Sequence, residues 1–190
     1  MDKWHIYFIM WVSWAWKWTL ISSLKETDLD LHIPLSYKSR ERRDFEVEWV
    51  DAHFISIDEF QSSITKKEFL EYAIVHWVNY YWTKYDDVIL NGIEKWKKVI
   101  KELDVLGLIR LLKDKPELSE NYTTIFLNIP VKKLRERIEK RWEDITEDEL
   151  QRRETSAIME EKEARQLCDY MLDATQKPEK ILKEVLDIIN

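Results

Sequence analysis

The sequence predicts an α/β fold in which helices flank a mostly parallel sheet. Three short apolar runs that end abruptly are typical of buried strands: 5–10 (HIYFIM), 99–105 (VIKELDV) and 123–130 (TTIFLNIP). Segments with helical character lie between and after these runs, and strands that alternate with helices favour a parallel sheet. With 190 residues, of which 45% are hydrophobic, the chain is long enough to bury a core.

The first half of the chain alternates between the two kinds of element. After the first strand we expect a loop and a helix over 17–25, and then an irregular basic segment over 31–45. Residues 58–76 are predicted to be helical, with Asp58 as the N-terminal cap. A further helix is predicted over 84–98.

The second half contains mainly helices. Pro130 closes the last apolar strand, and a strongly basic helix is predicted over 131–142. An acidic segment leads into a helix over 147–167. A short segment around Tyr170 and a final helix over 178–189 complete the chain.

The composition excludes several classes of protein. The chain has 30 Lys and Arg residues against 37 Asp and Glu residues, a net charge of −7, and a single cysteine. One cysteine forms neither a disulfide framework nor a Cys-based zinc cluster, so we expect a reducing compartment, the cytoplasm. The four histidines show no metal-ligand spacing.

Neither a membrane nor a nucleic acid is expected as a partner. Residues 5–21 are almost all apolar, but Lys17 interrupts them, and the span before it is too short to cross a bilayer. No small-residue cleavage site follows, which argues against a signal peptide. Residues 131–141 carry six basic and two acidic side chains, yet the acidic segment that follows and the net charge of −7 disfavour nucleic-acid binding.

Glycine is scarce and tryptophan abundant in this chain, which has two glycines, Gly92 and Gly107, and ten tryptophans. Ordinary chains contain about 7% glycine, because tight turns and helix C-caps need a residue that adopts positive φ without strain. Tryptophan and glycine together make up about 6% of this chain, which is close to the usual share of glycine alone.

The segment that joins the first strand to the first helix stands where a phosphate-binding loop belongs. Such a loop reads G-x-x-x-x-G-K-[ST], since glycines let backbone N–H groups surround phosphate oxygens. Here Trp11 and Trp16 stand at the glycine positions before Lys17, and writing glycine for tryptophan gives GVSGAGKGT. As written, the indoles would fill the phosphate space, so a strand with Trp14, Trp16 and Trp18 on one face is the alternative. The candidate ATP-binding residues are Trp11, Val12, Ser13, Trp14, Ala15, Trp16, Lys17, Trp18 and Thr19.

Further motifs follow in a fixed order: SYKSRERRDFEVEWVDAHF at 36–54, EFLEYAIVHWVNYYWT at 68–83 and VIKELDVLG at 99–107. This order resembles the guanylate kinase family of P-loop nucleoside monophosphate kinases. The acceptor segment of that family reads roughly S-x-T-T-R-x-x-R-x-G-E-x-x-G-x-D-Y-x-F. The family continues with E-x-A, G-N-Y-Y-G-[ST] and D-x-D-x-x-G. The resemblance extends from residue 4 to the final helix.

The tryptophans coincide with positions at which the family has glycine. Trp18 stands at a Gly or Ser position, and Trp4 precedes the first strand, where glycine is common. The other eight match family glycines: Trp11, Trp14, Trp16, Trp49, Trp77, Trp82, Trp96 and Trp142. The resemblance therefore leads to the hypothesis that the gene uses UGA for glycine and has been translated with UGA as tryptophan. An inactive homologue with genuine tryptophans is the rival interpretation.

The resemblance assigns donor-side roles. Lys17 matches the lysine that contacts the β- and γ-phosphates of ATP. The resemblance places Thr19 or Ser13 near Mg²⁺, although the hydroxyl that usually follows the lysine is absent, since Trp18 occupies that position. Three arginines match the lid arginines of the family, which close over ATP and stabilise the transferring phosphoryl group: Arg137, Arg141 and Arg153. Arg152 is an alternative to Arg153.

The resemblance also assigns a GMP site. Ser36, Arg40 and Arg43 match residues of the acceptor phosphate, and arginine suits this task because its planar fork meets phosphate oxygens bidentately. Glu46 belongs to the same segment, and Tyr81 matches a tyrosine on that phosphate.

Four more residues match the base and metal side of that site. Glu71 matches the carboxylate that accepts hydrogen bonds from guanine N1–H and the amino group, and Thr83 matches the hydroxyl that reads O6. Glu102 and Asp104 match paired acids that hold Mg²⁺, its waters or the guanine amine, and their i, i+2 spacing puts both on one face of a strand.

Some departures from the family do not involve tryptophan. Phe45 replaces a glycine before Glu46, and Ala52 replaces a second tyrosine on the acceptor phosphate. Val78 is an extra residue before the NYY motif, and Ala174 stands at the position of an adenine-proximal asparagine. They indicate a divergent enzyme with weaker acceptor affinity.

The resemblance implies the reaction ATP + GMP to ADP + GDP, with ATP as donor, Mg²⁺ as cofactor and GMP or dGMP as acceptor. We expect a single domain over 1–190 and a monomer or homodimer. An adenylate kinase, or an inactive guanylate-kinase-like module that binds phosphopeptides, are the alternatives. The expected layout is a core over 1–33, 84–130 and 156–190, a GMP-binding region over 34–83, and a lid over 131–155.

Overall fold

The computed structural model of the protein describes residues 5–12, 17–44, 46–75, 79–95, 97–116, 121–141 and 145–190. In chain order its elements are β1 (His5–Trp11), α1 (Lys17–Lys25), β2 (Leu31–His32), β3 (Ser36–Lys38), β4 (His53–Phe54), α2 (Ile57–Thr65), β5 (Phe69–Val75), β6 (Asn79–Lys84), α3 (Tyr85–Asn91), a 3-10 turn (Ile93–Lys95), β7 (Lys98–Glu102), α4 (Val105–Asp114), β8 (Tyr122–Asn128), α5 (Val131–Arg141), α6 (Glu147–Leu167), β9 (Tyr170–Asp173) and α7 (Pro178–Ile189).

The strands form two sheets. One has five strands in the order β2-β7-β1-β8-β9, and its outer pairs, β2 with β7 and β8 with β9, are parallel. The other has four strands in the order β4-β3-β6-β5, in which β6 runs antiparallel to both of its neighbours. The predicted α/β class with a parallel central sheet is confirmed.

The chain divides into two compact units. The first contains the described residues of Met1–Ile6, Asp30–Lys101 and Leu106–Tyr122. Within it, α2 covers one face of the four-stranded sheet, where Phe60, Phe69 and Trp82 are buried together. The partly buried side chains around them are Tyr37, Ile55, Tyr72 and Tyr80. This unit therefore has an aromatic core of its own.

The second unit comprises the described residues of Tyr7–Leu29, Glu102–Val105 and Thr123–Asn190. Here the Tyr7 hydroxyl in β1 donates a hydrogen bond of 3.1 Å to the Ile189 carbonyl at the end of α7. The apolar side chains buried in this unit include Phe8, Ile9, Met10, Leu20, Leu24, Phe126, Leu127, Leu134, Ile138, Ile181 and Val185. Among the described residues of the chain, no helix is both long enough and apolar enough to span a membrane.

Several predicted elements are confirmed. The helices over 17–25, 147–167 and 178–189 have the predicted bounds, and α5 ends at Arg141, beyond which 142–144 lie outside the described residues. The strands predicted at 5–10 and 123–130 are β1 and β8.

The helical prediction for 58–76 is wrong in its second half. The helix α2 ends at Thr65, and β5 follows over Phe69–Val75. The apolar run FLEYAIV suits either structure by itself, and its antiparallel pairing with β6 decides for the strand. The N-cap is Ser56 instead of Asp58, since the Ser56 side chain and Glu59 form a reciprocal capping box.

Other boundaries also differ from the sequence prediction. The segment 31–45 is not wholly irregular, because it contains β2 and β3. The helix predicted over 84–98 is the short α3, which stops before Gly92 and a 3-10 turn. The strand predicted over 99–105 ends at Glu102, and the helix α4, which was not predicted, begins at Val105.

Candidate functional site

One face of the four-stranded sheet in the first unit is polar. Because side chains alternate along a strand, Ser36 and Lys38 of β3 lie on the face opposite to Tyr37. In the register of the sheet, Ser36 pairs with Thr83 and Lys38 with Tyr81, and Glu71 of β5 pairs with Thr83 from the other side. These five residues define what we term the polar face, with Glu71, Thr83 and Ser36 at one end and Lys38 and Tyr81 at the other.

A buried ion cluster occupies the Lys38 end of the polar face. The guanidinium of Arg40 binds Glu46 with both terminal nitrogens, and Nη1 lies 2.6 Å from Oε2. Lys38 Nζ lies 3.0 Å from Glu46 Oε1, and the Arg43 backbone N–H donates to Glu46 Oε2 at 3.0 Å. Arg40 Nε also donates to the Tyr81 hydroxyl at 3.1 Å. Two cations against one carboxylate leave this end positively charged, which suits a phosphate.

Glu46 is ionised by its surroundings, with a side chain that is fully buried. Burial by itself opposes ionisation, but hydrogen bonds from the Arg40 guanidinium, the Arg43 amide and the Lys38 ammonium outweigh it and lower the pKa of Glu46 to about 2. In turn, the hydrogen bond to Glu46 raises the pKa of Arg40. The carboxylate therefore holds Arg40 in a fixed orientation beside Tyr81.

The opposite end of the polar face contains a carboxylate and two hydroxyls. The Thr83 hydroxyl donates a hydrogen bond of 2.7 Å to Glu71 Oε1, and Thr83 is fully buried. Ser36 accepts a hydrogen bond of 2.9 Å from Lys101 Nζ in β7. Residues two apart on a strand are separated by about 7 Å. The polar face therefore suits a ligand that has an anion at one end and hydrogen-bond donors at the other. Glu71 would accept the hydrogen bonds from those donors.

The residues of the predicted acceptor site are thus largely brought together. Arg40, Tyr81, Glu71, Thr83 and Ser36 line one face, although Ser36 lies opposite Thr83 instead of beside Arg40. The Arg43 side chain is exposed, while its backbone contacts Glu46.

The sequence motifs assign no role to two further side chains of this region, Lys38 and Lys101. Lys38 is 4% exposed and Lys101 is 1% exposed, and each donates a hydrogen bond to a predicted site residue. A lysine inside an apolar strand, as in VIKEL, is the signal that could have drawn attention to Lys101.

The predicted phosphate loop lies in the second unit and is described only in part. Trp11 ends β1, and the buried Val12 donates its N–H to the Leu127 carbonyl. The predictions for Ser13, Trp14, Ala15 and Trp16 fall outside the described residues. Lys17 is the first residue of α1 and Trp18 follows it. The backbone N–H groups of a helix N-terminus favour an anion, as the predicted loop requires.

Two of the three predicted lid arginines, Arg137 and Arg153, contact local partners. Arg137 Nη2 donates to the Ala174 carbonyl at 3.0 Å, and burial lowers the pKa of Arg137 from its ordinary value, against the attraction of Asp173. Arg153 pairs with Glu149 one helical turn earlier, with Nη2 at 2.6 Å from Oε1. Arg141 is the last residue of α5.

The two predicted acids do not both lie in a strand. Glu102 is the last residue of β7 and is half-buried, whereas Asp104 is exposed and lies between β7 and α4. The expected shared strand face is therefore wrong for Asp104, because the chain turns into α4 at Val105.

The proposed metal ligands have suitable chemistry. Thr19 is half-buried, and Asp104 presents an exposed carboxylate. Within the described part of the chain, no group of three or more His, Cys, Asp or Glu residues could hold a metal ion. Mg²⁺ in nucleotide sites is bound by one or two protein oxygen ligands together with substrate phosphates and water, so a hydroxyl and a carboxylate fit it.

Of the four residues that depart from the family pattern, two are buried and two lie outside the described residues. Ala52 is fully buried, and its carbonyl accepts the Trp49 N–H at 2.9 Å. Ala174 is likewise fully buried and provides the carbonyl that Arg137 contacts. Phe45 and Val78 lie outside the described residues.

Two tryptophans have features that an ordinary tryptophan site lacks. The backbone of Trp49 suits glycine, and the buried indole N–H of Trp82 lacks a hydrogen bond to any described residue. Trp49 has φ of 64°, in the left-handed region, and is 61% exposed. Trp82 is 1% exposed between Phe60 and Phe69, and its Nε1 has no hydrogen-bond partner among the described residues. Six others lie outside the described residues: Trp4, Trp14, Trp16, Trp77, Trp96 and Trp142.

Comparisons with known proteins converge on one family. A family model described as guanylate kinase matches residues 15–190. Guanylate kinase of Hydrogenovibrio crunogenus is 32% identical over 168 residues, which cover 88% of this chain and 78% of that protein. Guanylate kinase of Sulfurimonas denitrificans is 32% identical over 180 residues, covering 92% of this chain and 83% of the relative. The crystal structure of guanylate kinase from Anaplasma phagocytophilum superimposes with a TM-score of 0.76 at 19% identity, over 100% of this chain and 86% of that one.

Proposed function

Because the chain belongs to the guanylate kinase family, we propose that it transfers the terminal phosphoryl group of ATP to GMP, giving ADP and GDP. The observation that carries this proposal is the polar face, which offers a cationic end to a phosphate and a carboxylate to a base. Guanine presents two neighbouring donors, N1–H and the amino group, that Glu71 accepts. Adenine has no such pair of donors.

In this proposal Arg40, Arg43 and Tyr81 bind the acceptor phosphate. Arg40 is already oriented by Glu46 and Tyr81, which reduces the conformational entropy that binding must remove. Glu46 thereby acts on the phosphate through Arg40. Because Ala52 replaces a tyrosine of the family, we expect weaker binding of the acceptor phosphate.

The donor side depends on Lys17 for the β- and γ-phosphates of ATP and on the lid arginines, Arg137, Arg141 and Arg153. Mg²⁺ bound with ATP would neutralise phosphate charge, and Thr19 and Asp104 would supply oxygen ligands for it. The acceptor is already an anion, so no strong general base is needed. Catalysis then comes from positioning and from charge neutralisation by Lys17 and the arginines.

The proposed layout assigns 34–83 to GMP binding and 131–155 to the lid. We expect the enzyme to act in the cytoplasm as a monomer or homodimer, with no nucleic-acid partner.

A coupled assay of ADP formation tests this function with GMP and AMP as acceptors. We expect turnover with GMP and little with AMP from the protein that has glycine at the ten tryptophan positions. Lys17→Ala should lower kcat by about 100-fold or more, because it removes a cation from the transferring phosphates. ATP binding without turnover would favour the inactive binding module, and preference for AMP would favour an adenylate kinase.

The proposal includes glycine at the tryptophan positions, encoded by UGA. It is supported by the ten tryptophans against two glycines, by the left-handed backbone of Trp49, and by the Trp82 indole N–H, which has no hydrogen-bond partner in the described part of the chain. The Trp82 ring fills space in the aromatic core, so its packing does not favour glycine. At this position the structural support for glycine is only the missing hydrogen bond of the indole N–H. The family match also begins at residue 15, after Trp11 and Trp14.

Two measurements test the glycine assignment. Peptide masses of the protein isolated from its own cells should show glycine at these positions, and tryptophan in the peptide that contains Trp49 would contradict it. The second measurement compares the chain as printed with a version that carries the ten Trp→Gly substitutions. We expect GMP phosphorylation only by the second version, because indoles at 11, 14 and 16 would occupy the phosphate loop. Equal activity of both versions would show that the indoles do not block the phosphate loop.

A further inference from the structure

The chain passes twice between the five-stranded and the four-stranded sheet. The first crossing is the segment 33–35, which joins β2 to β3. The second crossing begins where β6 ends, because α3 starts at the next residue and leads to β7. Along the chain, β3, β4, β5 and β6 all lie between these two crossings. The crossings are therefore the covalent connections that hold the four-stranded sheet to β2 and β7.

One end of α3 is packed tightly against β2 and β7. Gly92 follows α3, and a Cβ atom placed on it would lie 2.5 Å from Val99 Cγ2 in β7 and 3.1 Å from His32 Cδ2 in β2. Distances this short leave no room for a side chain, so the end of the helix is in direct contact with both strands. The helix α3 is therefore fixed relative to β2 and β7.

The other end of α3 holds the first crossing through Asp87. Asp87 Oδ2 accepts the Leu35 backbone N–H at 3.0 Å, and Oδ1 accepts the Asn91 side-chain amide at 3.0 Å. His32 Nε2 lies 3.2 Å from Oδ1 and 2.9 Å from the Asp87 carbonyl oxygen. That nitrogen carries a hydrogen, because a carbonyl oxygen only accepts. One residue thus joins the end of β2, the start of β3 and α3.

The contacts of Asp87 go beyond those of an ordinary acid in the first turn of a helix. The dipole of a helix favours an acid there without a partner elsewhere, and the exposed Asp86 is such an acid. Asp87 is half-buried, and burial by itself raises its pKa, but hydrogen bonds from His32, Asn91 and the Leu35 amide outweigh burial and lower the pKa. Hydrogen bonds to an ionised carboxylate are the stronger kind. The sequence motifs assign no role to Asp87.

We propose that Asp87 is a positioning residue that clasps the two crossings together and so holds the four-stranded sheet in one orientation relative to β2 and β7 during phosphoryl transfer. This inference rests on the proposed function, in which that sheet carries GMP. Asp87 acts through the backbone of Leu35 and not by contact with the nucleotide. Phosphoryl transfer requires the attacking oxygen to be in line with the leaving group, so a sheet that turns more freely presents GMP productively for less of the time.

The expected signature is a fall in kcat without a comparable change in KM. The acceptor residues contact one another inside the four-stranded sheet, as Arg40 does with Tyr81 and Thr83 with Glu71. GMP should therefore still bind when the clasp is broken, whereas its alignment for transfer should be lost.

Asp87→Asn breaks the clasp with almost no change of shape. Both carboxylate oxygens of Asp87 accept hydrogen bonds, whereas an asparagine amide has one oxygen and an NH2 group that only donates. In either orientation the amide nitrogen would face a donor: the Leu35 N–H on one side, or His32 and Asn91 on the other. In the protein that has glycine at the ten tryptophan positions, we expect kcat to fall by about tenfold. KM for GMP and for ATP should stay within about twofold.

Two control variants leave the clasp intact. Asp86→Asn is the same substitution at the exposed neighbour, and Asn91→Ala removes a contact inside α3 while the crossings stay joined. Both should keep kcat within about twofold of the parent. His32→Leu removes the link to β2 and should lower kcat. Combined with Asp87→Asn it should cause no further loss, because both substitutions break the same clasp.

Hydrogen exchange of the Leu35 amide is a readout that does not depend on activity. In the folded protein this N–H is bound to Asp87 Oδ2, so Asp87→Asn should accelerate its exchange by about tenfold or more. Asp86→Asn should leave the exchange rate unchanged. The melting temperature of each variant shows that the measurement is made on folded protein.

The outcomes separate this inference from the function on which it rests. If the unsubstituted protein phosphorylates GMP and Asp87→Asn keeps its kcat, the inference is wrong, even if the melting temperature falls. A rise in KM for GMP at unchanged kcat also overturns it. If the unsubstituted protein does not phosphorylate GMP, the proposed function fails, and the Leu35 amide alone decides whether Asp87 holds the crossing. Unchanged exchange of that amide in Asp87→Asn refutes the clasp whatever the activity.

Discussion

The two faces of the four-stranded sheet use the same strands for opposite purposes. On one face, Phe60 of α2 packs its ring against Tyr80, Trp82 and Phe69, with ring centroids 4.4, 4.7 and 5.3 Å away. On the other face, the polar side chains form ion pairs and hydrogen bonds around Glu46 and Glu71. Successive residues of β6 alternate between them.

This difference teaches that stability and ligand binding are separated by the parity of residue number along β6. In β5 the register shift between Phe69 and Glu71 puts these two residues on opposite faces. Tyr80 and Trp82 contribute to burial, whereas Tyr81 and Thr83 contribute to the site.

A substitution in the aromatic core should change the free energy of unfolding, and one of a polar-face strand residue should change KM for GMP with little effect on stability. The buried carboxylate of Glu46, which lies outside the strands, is the exception, because its ion pairs also stabilise the fold. A core or strand variant that changes both quantities would break the comparison.

The largest expected effect is that of Phe60→Ala on the aromatic face. Phe60 is 1% exposed, and its truncation leaves a cavity among the surrounding rings. We expect the free energy of unfolding to fall by about 3–5 kcal/mol in a denaturant titration. The milder Phe60→Leu should cost less, and KM for GMP of the folded enzyme should stay within about twofold of the parent. A rise in KM that parallels the loss of stability would show that the two faces are coupled.

The second effect, a pH-dependent one, comes from Glu46 in the ion cluster. Its pKa is lowered from 4.5 to about 2, so its ionised form stabilises the folded state above the unfolded pKa. That contribution, on the order of 3 kcal/mol, is lost as the pH falls from about 4.5 through about 2. Glu46→Gln should therefore be less stable than the parent at pH 7, and the difference should shrink toward pH 2.

The measurement is the free energy of unfolding of both proteins between pH 2 and pH 7, by titration with denaturant. Glu41→Gln, at an exposed glutamate of the same segment, is the matched control and should follow the parent. A difference between Glu46→Gln and the parent that does not vary with pH would contradict the ionised state of Glu46.

The sequence predicts the fold best where one local pattern suffices. The helices α1, α6 and α7 have the predicted bounds, since each is bordered by a clear change of pattern. The sequence predicts a helix where β5 lies because the apolar run has no helix-breaking residue, whereas its antiparallel pairing with β6, the next strand along the chain, makes it a strand. The residues of the run by themselves do not determine that pairing.

For the site, the resemblance supplied the residue types but not their connections. It grouped Ser36 with Arg40, while the register places Ser36 opposite Thr83. The contact from Lys101 to Ser36 spans 65 positions in sequence, and no motif contains both residues. Likewise, the pairing of Lys38 with Glu46 depends on how the segment after β3 folds back.

A smaller effect is expected from Tyr81→Phe on the polar face. The substitution removes the hydroxyl that accepts the Arg40 Nε–H at 3.1 Å, so Arg40 is less firmly oriented toward the acceptor phosphate. We expect KM for GMP to rise by about fivefold, the equivalent of one hydrogen bond, with little change in stability. Tyr72→Phe, on the aromatic face, is the matched control and should leave KM unchanged. Equal changes in both variants would break the separation by parity.

The smallest effect, with the opposite sign, is expected at Trp49, which belongs to neither face. Its φ of 64° costs an L-residue about 1–2 kcal/mol, while glycine adds about 0.5–1 kcal/mol of unfolded-state entropy. Trp49→Gly should therefore raise the free energy of unfolding by about 0.5 kcal/mol, although it also removes the stacking of the indole on His53. Val50→Gly, at a neighbouring exposed residue whose φ is not positive, should instead lower the free energy of unfolding. Opposite signs in these two variants, measured by denaturant titration, would show that the backbone at position 49 favours glycine independently of any packing. A loss of stability in Trp49→Gly as large as that in Val50→Gly would show that the indole contributes more than its backbone conformation costs.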